Sequence, residues 1–104
     1  VVVGAIVHGE LLALRPFGWG DGIVARAAER LTLMARGLDP NSLVPTQLGH
    51  EQRREHYAAA LRGYMTGTPE GVAGWVVHCA QAVMEGARDS LATCEAIRRA
   101  TTRR

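Results

Sequence analysis

The stretch Arg15-Pro16-Phe17-Gly18-Trp19-Gly20-Asp21-Gly22-Ile23-Val24-Ala25-Arg26 separates two apolar helical runs, and its reading decides the fold. Proline fixes its own φ and steers the residue before it away from helical geometry, so an upstream helix ends at Arg15. Gly18, Gly20 and Gly22 alternate through a tight turn and permit positive φ and close approach of a ligand to the backbone. A helical pattern resumes after Gly22, with Asp21 expected as its N-cap. Loop amides aimed by a helix N-terminus form an anion site.

Outward from this turn, three-four spacing predicts four helices and no strand. The first covers residues 1–14, with Val3, Ile6 or Val7, Leu11 and Leu14 facing inward. His8 lies on it and reads first as a core or helix–helix histidine, with a site residue as the alternative. The second covers 22–36, with Ile23, Val24, Ala27, Leu31 and Met34 as the inner stripe, ended by Gly37 and Pro40. A turn-rich loop, 37–47, is expected to anchor through Leu43 and Val44. The third helix covers 48–65, capped by Thr46, with Leu48, Tyr57, Leu61, Tyr64 and Met65 on one face. The fourth covers 69–100, with Thr68 as cap, Pro69 at the first position and a bend near Gly86. Its buried stripe is expected to run through Val72, Trp75, Val76, Cys79, Val83, Leu91, Cys94 and Ile97. The class is all-α, a helical bundle in a single domain, 1–104.

The chain has 104 residues, enough for one modest core. Its net charge of +2 does not argue for nucleic acid. Arg98, Arg99, Arg103 and Arg104 read as a frayed basic tail. No run reaches the ~18 apolar residues of a membrane span. The apolar opening VVVGAIV lacks a basic leader, so it does not read as a signal peptide. It starts without a cap, which predicts missing upstream helices and an exposed apolar patch over Val1–Val7. Cys79 and Cys94 fit no redox or zinc spacing and read as buried free thiols of a cytoplasmic protein. His50 and His56 are six apart, which defeats a two-histidine metal ligand on one helix face, and no metal ligand is assigned.

The stretch 15–26 resembles the signature loop of the Fic (Fido) family, H-P-F-x-(D/E)-G-N-G-R-x-x-R. Pro16, Phe17, Gly20, Gly22 and Arg26 match. Arg15 stands at the motif histidine, Trp19 at the acidic metal position, Asp21 at the asparagine and Ile23 at the first arginine. His8-x-x-Leu11-x-x-Leu14 is similar to the family's approach helix, and the helices carrying Tyr57…Leu61 and Trp75 to its C-terminal part. The resemblance covers most of the chain and implies that N-terminal helices are lacking.

It also implies transfer of AMP, or another phosphate-bearing group, to a protein hydroxyl. That chemistry needs a histidine base, a divalent cation on the phosphates, and amides and arginines facing developing charge. Arg15 cannot act as a base, because guanidinium stays protonated. Losing the base alone costs ~100- to 10,000-fold. Trp19 cannot hold the cation and reads as a plug in the nucleotide pocket, with a stacking platform as the alternative. Gly20, Asp21, Gly22 and Arg26 remain as nucleotide or anion contacts, with a structural ion pair as the alternative for Arg26. The expected function is a catalytically degenerate Fic-like module for interaction or regulation, with a protein partner and homo-oligomerisation left open. The alternative is an active adenylyltransferase with unusual site residues, which would use ATP and Mg²⁺.

Overall fold

The computed structural model describes residues 1–14 and 20–102. These form five α-helices: α1 Val2–Leu14, α2 Asp21–Ala35, α3 Thr46–Gln52, α4 Arg54–Met65 and α5 Pro69–Thr102. Among the described residues there is no strand, and the chain is an all-α helical bundle.

Local chemistry sets most helix ends. Gly20 adopts φ 68° and is the N-cap of α2, so Asp21 is not the cap. It occupies the first turn, where a carboxylate complements the helix dipole. Gly37, at φ 84°, closes α2. Its N–H donates to the Met34 carbonyl at 3.2 Å, and the Leu38 N–H donates to that of Leu33 at 3.0 Å, the Schellman arrangement. Thr68 caps α5 as expected, its hydroxyl accepting the Gly71 N–H at 3.0 Å. Thr46 does not cap. Pro45 precedes α3, and Thr46 is its buried first residue.

The helix expected over 48–65 is two helices. Arg53 leaves helical geometry at φ −117°, ψ 35°. In an unbroken helix residues 50 and 56 would point about 120° apart. The break lets both His50 and His56 meet His78 on α5. Gln81 on α5 accepts from the Arg53 guanidinium at 2.7 Å and holds the break in place.

α1 and α2 pack antiparallel, with Gly4 against Glu29 and Leu33. α3 and α4 run antiparallel to the first half of α5, from Gly63 beside Gly71 to Pro45 beside Gly86. The apolar core is Ala5, Tyr64, Trp75 and Cys79, flanked by residues such as Leu12, Leu61 and Val76. Trp75 donates its indole N–H to the Ala5 carbonyl at 2.7 Å, joining α5 to α1. The 37–45 loop is anchored by polar groups. The Asp39 carboxylate accepts the Leu43 and Val44 N–H groups at 2.9 Å each, and Arg30 clamps Ser42. Leu43 itself is exposed, contrary to expectation, while Val44 lies against Gly86.

Several apolar stripes fall elsewhere than expected. The buried face of α1 is Gly4, Ala5, His8 and Gly9, while Val3 and Leu14 are exposed. That of α2 is Asp21, Ala25, Glu29 and Leu33; Ile23, Val24, Ala27 and Leu31 face outward, and Met34 is half-buried. Met65 is exposed on α4. On α5, Leu91 and Ile97 are 60% and 61% exposed, and Cys94 is an exposed thiol. Among the described residues the helix outruns its partners after Gly86, and Leu91, Cys94 and Ile97 beyond it are exposed. Arg98 and Arg99 are helical, not frayed; Arg103 and Arg104 lie outside the described residues. Val1, Val2 and Val3 are exposed at the start of α1, while Ile6 and Val7 are half-buried.

The α3–α5 crossing depends on a missing side chain. A Cβ on Gly49 would run into the Ala82 carbonyl, a backbone atom that cannot move alone. Gly74, inside α5, faces open space. Gly49→Ala should therefore destabilise by at least about 2–3 kcal/mol, whereas Gly74→Ala should stabilise by about 0.5–1 kcal/mol. Urea denaturation followed by circular dichroism measures both, and equal effects would contradict the packing.

Candidate functional site

Gly20 and Gly22 bracket the start of α2, Asp21 is buried between them, and Arg26 follows one turn later. Arg15, Pro16, Phe17, Gly18 and Trp19 lie outside the described residues, so the motif-histidine and plug readings stay as sequence readings. The Arg26 guanidinium folds back over Gly22. It also lies beside the Tyr57 hydroxyl. With Gln47, His50, Glu51, Arg54 and Tyr57 it lines a cleft of about 310 Å³. Of the described motif residues, only Arg26 borders this cleft.

Beneath the cleft lies a polar cluster that spacing alone does not reveal. Glu29 is 1% exposed, and His8 and His78 are fully buried. One carboxylate oxygen of Glu29 lies 3.3 Å from His8 Nδ1 and 2.8 Å from His50 Nε2. An ionised carboxylate only accepts, so both facing nitrogens carry protons. His8 Nε2 then accepts from the Tyr57 hydroxyl at 2.7 Å. On the other side, His50 Nδ1 meets His78 Nε2 at 3.0 Å, and His78 Nδ1 meets His56 Nδ1 at 2.8 Å. One proton per ring satisfies every contact when each N–H points inward, from His56 to His78, to His50, to Glu29. The result is a chain of three imidazoles ending on a buried carboxylate.

The electrostatics follow from this geometry. Burial alone would raise the Glu29 carboxyl, but the hydrogen bonds from His50 and His8 and their attraction reverse it and hold it at about 2. Burial, then the neighbouring His50, His56 and Arg53, pushes His78 down to about 4. Burial also lowers His8, more than its Glu29 partner raises it. Cys79, buried beside Glu29, has its thiol pushed up, first by burial and then by that carboxylate.

His8 is thus a core histidine, as first read, but it belongs to a site-like cluster. His50 and His56 do not act as a pair on one helix, yet both belong to the same chain of rings. One donor atom each from His8, Glu29, His50 and Cys79 lies within 4.8 Å of the others. These residues come from α1, α2, α3 and α5 and are separated in sequence by 21, 21 and 29 positions. No local motif spans such gaps. The one available signal was Glu29 itself, set between Ala25 and Leu33 at helical spacing. Comparison with protein-family models, curated proteins and solved structures finds no match for this chain.

The shifts give stability a definite pH dependence. His78 is lowered from 6.5 to about 4, so the unfolded chain binds its proton first on acidification. Glu29 is lowered from 4.5 to about 2, with the same consequence at lower pH. Stability is therefore greatest between pH 6.5 and about 9, above which the unfolded Cys79 thiol ionises while the buried one does not; it falls toward pH 4 through His78 and His8, and falls further through Glu29. Urea denaturation in a chelating buffer should show a loss of about 2–3 kcal/mol between about pH 7.5 and 4. His78→Gln should reduce that slope, and a flat profile in the wild type would contradict the assignment.

Proposed function

We propose that this chain is a catalytically degenerate Fic-like helical module that acts by binding, with the Arg26 cleft as its residual site for a phosphate-bearing ligand or an anionic group of a protein partner. The observation that carries this reading is the state of the histidine bordering the cleft. His50 has one ring nitrogen on Glu29 and the other on His78. Neither nitrogen is available to take a proton from a substrate hydroxyl, which general-base catalysis requires within hydrogen-bond reach. What the cleft does offer is two guanidinium groups, Arg26 and the exposed Arg54, beside the Tyr57 ring, with Glu51 3.9 Å from Arg54. Guanidinium groups recognise phosphate bidentately without any catalytic step.

The Pro16–Phe17 pair, the loop glycines and Arg26 support the family resemblance, and the all-α fold is consistent with it. Arg15, Trp19, Asp21 and Ile23 stand where the family's base, cation ligand, asparagine and first arginine would act.

The test is calorimetric titration with ATP, with and without Mg²⁺, together with labelled-AMP incorporation. The wild type should bind ATP without becoming labelled or labelling other proteins. Arg26→Ala and Arg54→Ala should each weaken binding by about tenfold, the value of one charge-assisted contact. Magnesium-dependent labelling would overturn the degenerate reading. Absence of ATP and phosphate binding would overturn the anion site.

A further inference from the structure

We infer that His8, Glu29, His50 and Cys79 form a zinc(II) site at the centre of the helical bundle. The donor set is two imidazole nitrogens, one carboxylate oxygen and one thiol sulfur, the ligand types that zinc takes in tetrahedral sites. Each comes from a different helix, all four residues are buried, and all four donor atoms lie within 4.8 Å of one another. Zinc bonds of about 2.0 Å to nitrogen or oxygen and 2.3 Å to sulfur place ligands about 3.3–3.6 Å apart. The His8–Glu29 and His50–Glu29 separations are 3.3 and 2.8 Å. The widest separation closes by about 1 Å, within the reach of side-chain rotation.

Charge favours the ion. Without it, Glu29 is a buried anion whose attraction is supplied by ring N–H groups. With it, the 2+ charge is matched by one carboxylate and one thiolate, a neutral complex suited to a dry interior. The proton balance is equally simple. The Cys79 thiol loses its proton to solvent, and the two imidazoles move theirs to the opposite nitrogen. His8 then carries its proton on Nε2, facing the Tyr57 oxygen at 2.7 Å. His50 carries its proton on Nδ1 and donates to His78, which donates in turn to His56. The ring chain reverses direction with every member still satisfied. These are the outer partners that orient ligating histidines in zinc sites. Entry is from the Arg26 cleft, which His50 borders directly.

The test uses the full chain, stripped with chelator, then titrated with zinc against a chromophoric competitor and separately with cobalt(II). One equivalent of each should bind. The cobalt complex should show tetrahedral d–d bands and a thiolate-to-cobalt charge-transfer band, and zinc should raise the melting temperature by at least about 5 °C. Cys79→Ser should abolish the charge-transfer band and weaken zinc at least about 100-fold. Cys94→Ser, on the exposed half of α5, should change neither. Absence of a saturable one-equivalent site, a six-coordinate cobalt spectrum, no thermal shift, or a band lost with Cys94→Ser would each overturn the site. Because the wild-type and Cys94→Ser spectra decide the matter by themselves, misfolding of Cys79→Ser does not blunt the test.

Discussion

The ionised carboxylate of Glu29 is the constraint on which the rest of the bundle depends. Burying a carboxylate costs several kcal/mol unless it is hydrogen-bonded. Glu29 takes its two N–H donors from His8 on α1 and His50 on α3, so three helices must be in register before the charge is satisfied. The requirement propagates outward. His50 reaches Glu29 only if α3 lies close to α5, which Gly49 permits at the Ala82 carbonyl. His78 reaches both His50 and His56 only because the helix breaks at Arg53. On the apolar side of the same core, Trp75 packs with Ala5 and Tyr64 and lays its ring against His8 and His50. A polar network so fully satisfied specifies one arrangement more strictly than apolar contacts alone.

Arg26 ties this interior to the surface. It lies in the cleft, over Gly22, and against the Tyr57 hydroxyl that serves His8. Arg26, Tyr57, His8 and Glu29 therefore stand along one path from the cleft to the buried carboxylate. A guanidinium so placed touches both the interior network and the wall of the cleft.

The helical class and several helix ends were legible because they rest on short-range chemistry. Gly37 closes α2, and Thr68 with Pro69 opens α5, each through bonds within five residues. The orientation of the helices was less legible. Ranking residues by apolarity put Leu31, Ile23 and Ala27 inside α2, whereas the inner position belongs to Glu29 because two histidines from elsewhere satisfy it. The same ranking put Val3 inside α1, where the buried face is small residues and His8, and carried the α5 stripe past Gly86, where its partners end. Of the candidate site, Gly20, Gly22 and Arg26 were visible in the turn. The cluster of His8, Glu29, His50 and Cys79 was not, because its members are more than twenty residues apart and converge only in the folded bundle.

Glu29 is an ionised hub that accepts hydrogen bonds from two specific ring nitrogens, His8 Nδ1 and His50 Nε2. Long-range proton–nitrogen correlation of the histidine side chains, recorded near pH 7 in chelator-treated protein, reads those protons directly. His8 should carry its proton on Nδ1, the tautomer an unconstrained imidazole disfavours, and His50 should show a protonated Nε2 facing the same carboxylate. His8 with its proton on Nε2, or ring signals averaged between tautomers, would contradict this placement of the protons.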